Sequence, residues 1–447
     1  MRKKILISVL VILGLVSLFS NYLFSSDTTT LTLTPAKFNH ADVAWMLVAS
    51  VLVFLMTPGV GFFYGGMVNS KNIISTIFQS FIAMVTITVL WFIFGFGLAF
   101  GPDLGGIIGN PIPNMFMRGV GTDSAWPGAP TIPILLFALF QLKFAIITPA
   151  LISGGVAERI RFWGYLLFII VFSIFIYSPL AHATWHPEGI LAKAGVLDFA
   201  GGTVVHMSSG WAAFAGAIFL KKRRNTTLSA AQVPYVILGA SLLWVGWFGF
   251  NAGSSFAANG LAVLAFANTT AASAVGAITW GFLEKINKQK LTSVGVCVGA
   301  VVGLVGITPA AGYVSIGHSL FIGLAASIVS FYMVRLFHKK GVDDTLDVFP
   351  CHGVGGMVGM LLTGVFADKS INEAVQHNGL FYGETTLFVT HFVAMMLVSA
   401  FAFFGTLLLL YLVNKIIPLR VDADKEELGL DISQHGEKVH HGNYPVH

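Results

Sequence analysis

Two apolar stretches of the sequence each carry a histidine a few residues after an aspartate. Asp198 precedes His206, and Asp347 precedes His352. A charged group at the centre of a bilayer costs about 2.5–3.5 kcal/mol on insertion scales, so ionisable residues in such segments usually serve a function. A neutral imidazole donates one hydrogen bond and accepts another, so two such rings could bond to each other and still face a lumen. The pair could pass a proton or bind a small polar solute; alternatively, each histidine only ties two helices together.

The two aspartates have positions suited to structural roles. Each precedes a histidine-bearing helix, where a carboxylate can accept hydrogen bonds from free backbone N–H groups. We therefore expect Asp198 and Asp347 to cap their helices, and direct cation binding by Asp198 is the alternative. Haem ligation is another use of a histidine pair, but the surrounding glycines favour close helix packing over room for a macrocycle. We expect no cofactor and no metal.

The composition is that of a membrane protein. Apolar residues make up 55% of the chain and charged residues only 10%, whereas soluble domains carry about 25% charged residues. The 49 glycines suit close packing of helices in lipid. The net charge of +5 is spread over short loops and gives no indication of nucleic-acid binding. No nucleophile–base set or metal-ligand cluster indicates an enzyme.

The N-terminus has the pattern of a signal peptide. Three basic residues follow Met1, and an apolar run then extends from Ile5 to Phe19 before a Ser/Thr-rich segment. We predict that residues 1–25 form a signal peptide, and an uncleaved leader helix is the alternative.

Eleven segments after the leader have the roughly 20 predominantly apolar residues that a membrane-spanning helix needs. The last is unusually long and runs to Ile417. We therefore predict an all-α polytopic membrane protein with eleven transmembrane helices. The segments start near Val43, Thr76, Ile132, Phe162, Gly201, Val233, Gly260, Thr292, Gly317, Val348 and Leu387.

Basic residues lie mainly in alternate loops, which indicates the orientation because cytoplasmic loops are enriched in Lys and Arg. After even-numbered spans only Arg118, Lys193 and Lys369 occur. We predict that the N-terminus is outside and the C-terminus is in the cytoplasm. After odd-numbered spans come Lys71, Arg159, Arg161, Lys221, Lys222, Arg223, Arg224, Lys285, Lys288, Lys290, Arg335, Lys339, Lys340, Lys415 and Arg420.

This orientation makes spans one to five and spans six to ten opposite in direction. His206 falls in the fifth span and His352 in the tenth. A pseudo-twofold axis in the membrane plane would bring these two helices together near the middle of the bilayer. We predict a 5+5 inverted repeat followed by the long last helix.

Ordered motifs along almost the whole chain after the leader resemble those of the ammonium transporter family (Amt/Mep/Rh), and specifically its Amt branch. The two histidine stretches are among them, as DFAGGTVVH at 198–206 and DVFPCHGVGG at 347–356. The others are PGVGFFYGG at 58–66, FQLKFA at 140–145, AERIRF at 157–162, GWFGFNAGS at 246–254, TPA at 308–310 and GLDISQHGE at 429–437.

The resemblance implies a homotrimer in the plasma (inner) membrane, in which each eleven-helix protomer has its own pore. It assigns residues 43–418 to the ammonium transporter domain and residues 419–447 to a cytoplasmic tail. It identifies His206 and His352 as the twin histidines of the pore. The stacked rings that block the pore mouth would be Phe144 and Phe250. External recruitment of ammonium would involve Phe140, Phe144, Trp185 and Ser254.

The resemblance further implies that ammonium is captured outside, loses a proton near the ring gate and passes as ammonia along the histidines. The sequence leaves open whether the proton follows, which would make transport electrogenic. A non-conducting ammonium sensor and a neutral gas channel of the Rh type are the alternatives. The tail motif matches the family tail that responds to a GlnK-type signal protein, which is the implied partner.

Two residues depart from the pattern of the family. Lys143 stands where small or apolar residues also occur in the family, and we expect it to face a helix interface or to snorkel outward. His186 stands where a glycine-rich run is usual, and it could tune the outer vestibule or belong to a solvated loop.

Overall fold

The computed structural model describes residues 8, 11–12, 14–18, 31, 33–35, 37–226 and 230–439. Nearly all regular structure in these residues is helical, which confirms the predicted all-α membrane fold. The predicted leader, residues 1–25, lies largely outside the described residues, and its cleavage stays a prediction.

Ten helices within the described residues are long and apolar enough to cross a bilayer, and an eleventh apolar helix is shorter. The regular part of α4 ends at Trp185, and a short turn resumes at Ile190. In chain order the helices are α1 His40–Met67, α2 Ser70–Phe100, α3 Ile134–Val156, α4 Phe162–Lys193, α5 Gly202–Leu220, α6 Val233–Ser255, α7 Gly260–Ile286, α8 Ser293–Ile307, α9 Ile316–Lys340, α10 Phe349–Phe366, α11 Thr386–Ile416 and α12 Ala423–Leu428.

Each predicted span starts within six residues of one of the helices α1 to α11. The eighth, α8, has 15 residues, which is less than the roughly 20 that cross a bilayer unaided. The fold class is therefore confirmed, while the count of eleven spans and their orientation stay predictions.

The chain also contains short π-helical and 3₁₀ turns, some within the long helices and some between them. Both predicted pore histidines lie in π-helical turns, which often occur at functional sites because they displace side chains from the regular helical register. The π turns are Trp91–Gly95, Ser173–Tyr177, Gly202–Met207, Phe349–Val354 and Asp431–His435. The 3₁₀ turns are Ser70–Asn72, Ile112–Met117, Gly253–Ser255 and Leu380–Tyr382.

The segment 101–133, between α2 and α3, covers one end of the helix assembly. Short antiparallel pairs hold it: β1 Thr34–Pro35 pairs with β4 Ser124–Ala125, and β2 Asp103–Leu104 pairs with β3 Ile108–Gly109. The Asn39 N–H donates to the Thr131 carbonyl at 3.0 Å, so α1 and α3 begin side by side. This end is the outer face in the predicted orientation.

Glycines let the helices that carry the histidines approach closely. A Cβ atom on Gly210 of α5 would overlap the backbone of Gly353 of α10, and a Cβ on Gly356 would lie 3.2 Å from the His206 Cβ. Such contacts between small residues are a main source of helix association in lipid. They bring the two histidine segments against each other.

The tail packs on the opposite end, which is the inner face in the predicted orientation. The Asp431 carboxylate accepts the Ile74 and Ser75 N–H groups at 3.1 and 2.8 Å, near the start of α2. The Gln434 Oε1 accepts the Phe162 N–H at 2.7 Å, at the start of α4. The described part of the tail therefore satisfies backbone donors at the ends of two helices.

Candidate functional site

His206 and His352 contact each other in the interior of the helix assembly. Their Nδ1 atoms are 3.3 Å apart, and their ring centroids are separated by 5.4 Å with planes inclined by 28°. Both side chains are buried, with 1% and 3% of their surface exposed. Because one Nδ1 must donate and the other must accept, the two neutral rings have opposite tautomers. The predicted contact between the histidines is confirmed.

Aromatic neighbours fix the orientation of His206. The Trp247 ring stacks against it at 5.2 Å with a 19° inclination, and the Phe250 ring lies 5.9 Å away. The Trp247 indole N–H donates to Thr308 Oγ1 at 2.9 Å, which anchors the stacking partner in turn. The Nε2 of His206 is buried without a partner within the described residues. That nitrogen is therefore available to a small polar solute.

Asp198 caps the first histidine segment, as predicted. Its carboxylate accepts the N–H groups of Gly201, Gly202 and Thr203 at 2.8, 2.6 and 2.8 Å, and also the Thr203 hydroxyl. A carboxylate has about four lone-pair positions, so these four donors occupy it fully. The side chain is only 5% exposed. The geometry favours capping over direct cation binding by Asp198.

The second histidine segment is capped by Asp344, so the prediction that Asp347 caps it was wrong. Asp344 Oδ2 accepts the Phe349 N–H at 2.7 Å. Asp347 has a left-handed backbone conformation with φ of 55°, and its carboxylate lies 3.0 Å from His338 Nε2. Asp347 therefore pairs with the end of α9 instead of the start of α10.

The corrected cap makes the two histidine segments equivalent. Asp344 precedes His352 by eight residues, and Asp198 precedes His206 by eight. In each case the carboxylate accepts backbone N–H groups at the start of a π turn that carries the histidine. This equal spacing supports the predicted inverted repeat.

Asp344 also lies beside a cavity at the predicted inner face. It lines this cavity of about 470 Å³ together with Arg223, His338 and Asp343. Its Oδ1 is buried without a hydrogen-bond partner within the described residues. Burial, followed by the nearby Asp347 carboxylate, raises the pKa of Asp344 to about 7. Burial therefore favours the neutral form of a carboxyl at the inner end of the second histidine segment.

We expect Asp344→Ala to destabilise the protein more than Asp347→Asn. Alanine at 344 leaves the buried Phe349 N–H without an acceptor, which costs about 1–3 kcal/mol. Asparagine at 347 tolerates the left-handed backbone and loses only a partly exposed pair with His338, which is worth up to about 1 kcal/mol. Thermal unfolding of the detergent-solubilised variants measures both effects. Equal destabilisation, or a larger loss in Asp347→Asn, would contradict the cap assignment.

The predicted ring gate forms a continuous stack above His206. Phe144 of α3 and Phe250 of α6 have centroids 4.3 Å apart and planes inclined by 30°. Trp185 contacts Phe144 in a T-shaped arrangement, with ring centroids 5.7 Å apart and planes inclined by 84°. Trp185, Phe144, Phe250 and His206 therefore follow one another from the outer face inward.

A cavity of about 300 Å³ opens above this stack at the predicted outer face, and we call it the vestibule. Its lining includes the predicted residues Phe144, Trp185 and Ser254, and also Asp198. The Trp185 indole N–H donates to the Asp198 carbonyl at 3.0 Å, and the Ser254 hydroxyl donates to the Phe250 carbonyl at 2.8 Å. The oxygen of Ser254 keeps its lone pairs for an N–H donor.

Phe140 does not line the vestibule, although it was predicted to be part of the recruitment site. Its ring is fully buried and packs against Phe144 at 5.0 Å and Phe256 at 5.8 Å. One helical turn separates it from Phe144 in α3, so it supports the gate ring from behind. Of these two rings, only Phe144 lines the vestibule.

Sequence reasoning did not identify several aromatic residues that line the vestibule. Trp126 lies in the irregular segment between α2 and α3, and Phe256 follows the end of α6 in a left-handed conformation with φ of 55°. No helical period marks such loop residues. The additional aromatic lining residues are Trp126, Phe137, Phe199, Phe256 and Tyr313.

His186 lies behind the vestibule wall. Its ring is 4.3 Å from His182 in a stacked pair and 5.4 Å from Trp126. His182 Nε2 is 2.9 Å from Asp103 Oδ1, and His182 Nδ1 is 3.0 Å from the Ala99 carbonyl. His186 is therefore packed within the protein, against the alternative of a solvated loop residue.

A buried ionic cluster at the inner face explains the AERIRF motif. Arg223 pairs with Glu158 at 2.6 Å and with Asp343 at 2.7 Å. Arg159 donates to Thr345 Oγ1 and to the Asp343 carbonyl, and burial lowers the pKa of Arg159 to about 10. The cluster joins the loops after α3, α5 and α9. Across the described residues, no group of three or more His, Cys, Asp or Glu side chains could hold a metal ion.

Comparison with known proteins places this arrangement in a family. Residues 44–440 match the model described as Ammonium Transporter Family. The chain is 44% identical over 431 residues to a protein of Aquifex aeolicus named ammonium transporter, covering 95% of this chain and 97% of the relative. It resembles the crystal structure of Saccharomyces cerevisiae Mep2 with a TM-score of 0.82 and 34% identity over 89% of this chain and 91% of that one. It also resembles a structure titled Sensor Amt Protein, with a TM-score of 0.79 and 26% identity over 88% of this chain and 98% of that one.

Proposed function

Because this chain belongs to the ammonium transporter family, we propose that it carries ammonium or ammonia through a narrow pore along its paired histidines. The observation that carries the proposal is the unbroken series of contacts from the vestibule to the histidine pair. Trp185 meets Phe144 at 5.7 Å, Phe144 meets Phe250 at 4.3 Å, Phe250 meets His206 at 5.9 Å, and His206 meets His352.

The vestibule has the chemistry of a site for a small cation with N–H groups. Aromatic faces attract such a cation by about 0.5–2 kcal/mol, depending on its desolvation. Ser254 offers a neutral oxygen as acceptor, and the Asp198 carboxylate adds a negative charge without a free lone pair. Among the described residues that line the vestibule, Asp198 is the only charged one and its carboxylate is already occupied, so Na⁺ and K⁺ lose hydration there without an ionic replacement.

The ring gate and the histidines favour passage of the neutral species. A charged ion pays a large desolvation cost among buried phenyl rings, whereas ammonia does not. Ammonium would therefore lose a proton near Phe144 and Phe250 and move on as ammonia. The two rings of the histidine pair offer one N–H donor and one free nitrogen, so they can hydrogen-bond ammonia in either role.

The proposal includes the assembly and its setting. We propose a homotrimer in the plasma membrane, with the vestibule outside and the tail in the cytoplasm. The stripe of exposed apolar residues on α1 suits contact with a neighbouring protomer or with lipid. A GlnK-type regulatory protein would act on the inner face, where the tail meets the ends of α2 and α4.

Ammonium pulses applied to proteoliposomes that contain the full chain test the proposed function. We expect ammonium to evoke either a current or uptake without current, and K⁺ at the same concentration to evoke a much smaller signal. Empty liposomes are the control. The absence of any ammonium-dependent flux would contradict transport and favour a sensor that binds ammonium without conducting it.

A further inference from the structure

Lys143 is a basic residue that the proposed pathway does not use. It precedes Phe144 directly in α3, yet it does not line the vestibule. Its side chain is half-buried, and its ammonium group lies 4.9 Å from the ring centroid of Phe54 on α1. Within the described residues, no carboxylate or carbonyl oxygen forms a hydrogen bond or ion pair with it.

The ammonium group of Lys143 lies at the depth of the ring gate. Ala49 of α1 and Phe140 of α3 both lie against Gly253, so they share one level. Because α1 and α3 begin side by side and run in the same direction, positions further along both helices lie deeper. Phe144 is four residues beyond Phe140, or about 6 Å, and Phe54 is five residues beyond Ala49, or about 7.5 Å.

The packing of α1 against α3 does not require a charged side chain at position 143. A charged lysine in the membrane costs free energy, and an apolar side chain would fill the space between α1 and α3 without that cost. The face of Phe54 attracts the protonated form of an amine through its ring quadrupole. The contact therefore stabilises a positive charge beside the gate.

We propose that Lys143 is a fixed positive charge that disfavours cations at the ring gate and so adds to the selectivity for ammonia over alkali cations. This inference rests on the proposed function. The charge lies about one helix width, roughly 10 Å, from the gate. At that distance and at the effective dielectric constant of a protein interior, it disfavours a monovalent cation by a factor of roughly ten. Neutral ammonia is unaffected, and the same field favours loss of the proton from ammonium.

The test compares the selectivity of five full-length proteins in proteoliposomes: the wild type, Lys143→Met, Lys143→Gln, Lys143→Arg and Lys193→Met. Lys193 is the matched control because it is an exposed lysine at the outer face, paired with Glu188. Pulses of ammonium and of K⁺ are applied to the same preparations, and the ratio of the K⁺ signal to the ammonium signal is measured. We expect this ratio to rise about tenfold in Lys143→Met and Lys143→Gln. Lys143→Arg and Lys193→Met should keep the wild-type ratio.

Two outcomes would overturn the inference. One is an unchanged ratio of K⁺ to ammonium signal in both neutral variants. A parallel loss of both signals, as expected for a purely structural lysine, also leaves this ratio unchanged and counts as the same outcome. The other is a rise in Lys143→Arg equal to that in Lys143→Met. A wild type without any ammonium signal would count against the proposed function instead, so the two failures are distinguishable.

Discussion

Replacing either His206 or His352 with alanine is expected to lower ammonium-driven flux by roughly 10- to 150-fold, or to remove its selectivity over K⁺. Each ring supplies a hydrogen bond in a water-poor site, and such a bond to a group that carries or acquires charge is worth about 1.5–3 kcal/mol. Every 1.4 kcal/mol of lost stabilisation corresponds to about tenfold in rate. Flux and current in proteoliposomes measure the effect.

The histidine variants should remain folded. The bond between two neutral rings contributes only about 0.5–1.5 kcal/mol to stability, and the close approach of α5 and α10 rests on glycines instead. His318→Ala is the matched control because His318 is also a membrane-helix histidine, stacked on Phe366 outside the line of contacts. Normal flux and selectivity in both His206→Ala and His352→Ala would refute the assigned role of the pair.

Asp198→Ala is expected to destabilise the protein by roughly 3–9 kcal/mol and to abolish ammonium-driven flux. The substitution leaves three buried backbone N–H groups without an acceptor, at about 1–3 kcal/mol for each group that water does not reach. The freed segment carries His206 and meets Trp185 through the Asp198 carbonyl. Thermal unfolding in detergent and flux in proteoliposomes measure the two effects.

Thr203→Val separates the cap from its accessory bond. It removes only the hydroxyl that Asp198 accepts and keeps the three backbone bonds. Its cost should therefore stay near about 1 kcal/mol, with flux retained. If Asp198→Ala were as stable and as active as Thr203→Val, the carboxylate would not be the cap that positions the pore.

The histidine pair could be predicted because its signal is local and chemically unusual, whereas the ring gate was implied by the family resemblance alone. An ionisable residue in an apolar helix is costly enough to be noticed, and the positions of His206 and His352 in the fifth and tenth spans indicate symmetry. Their contact within 3.3 Å agrees with that expectation.

The errors arose where backbone geometry decides the outcome. Asp347 is nearer to His352 in sequence than Asp344 is, yet its left-handed backbone directs its carboxylate to His338. The matching spacing of eight residues was present in the sequence, but only the observed hydrogen bonds give it meaning. The family resemblance placed Phe140 at the recruitment site, whereas its ring is fully buried against Phe144 and Phe256.

Several aromatic residues that line the vestibule were not predicted, for a different reason. Trp126 and Phe256 lie in irregular segments, and their position depends on short strand pairs and turns far apart in the chain. Hydrophobic periodicity carries no information about such residues. An open cavity at the end of a helix bundle is therefore harder to derive from sequence than the helices that support it.

The direct contact between the two Nδ1 atoms limits the histidine pair to one proton transfer in a given direction before the pair must be reset. A single proton fits between these nitrogens, so the pair has two arrangements that differ only in which ring donates. A proton that entered at one Nε2 and left at the other would convert the first arrangement into the second. The next proton could not follow in the same direction until the pair had been reset. Any proton current through this pair would therefore saturate at the reset rate, however steep the gradient that drives it.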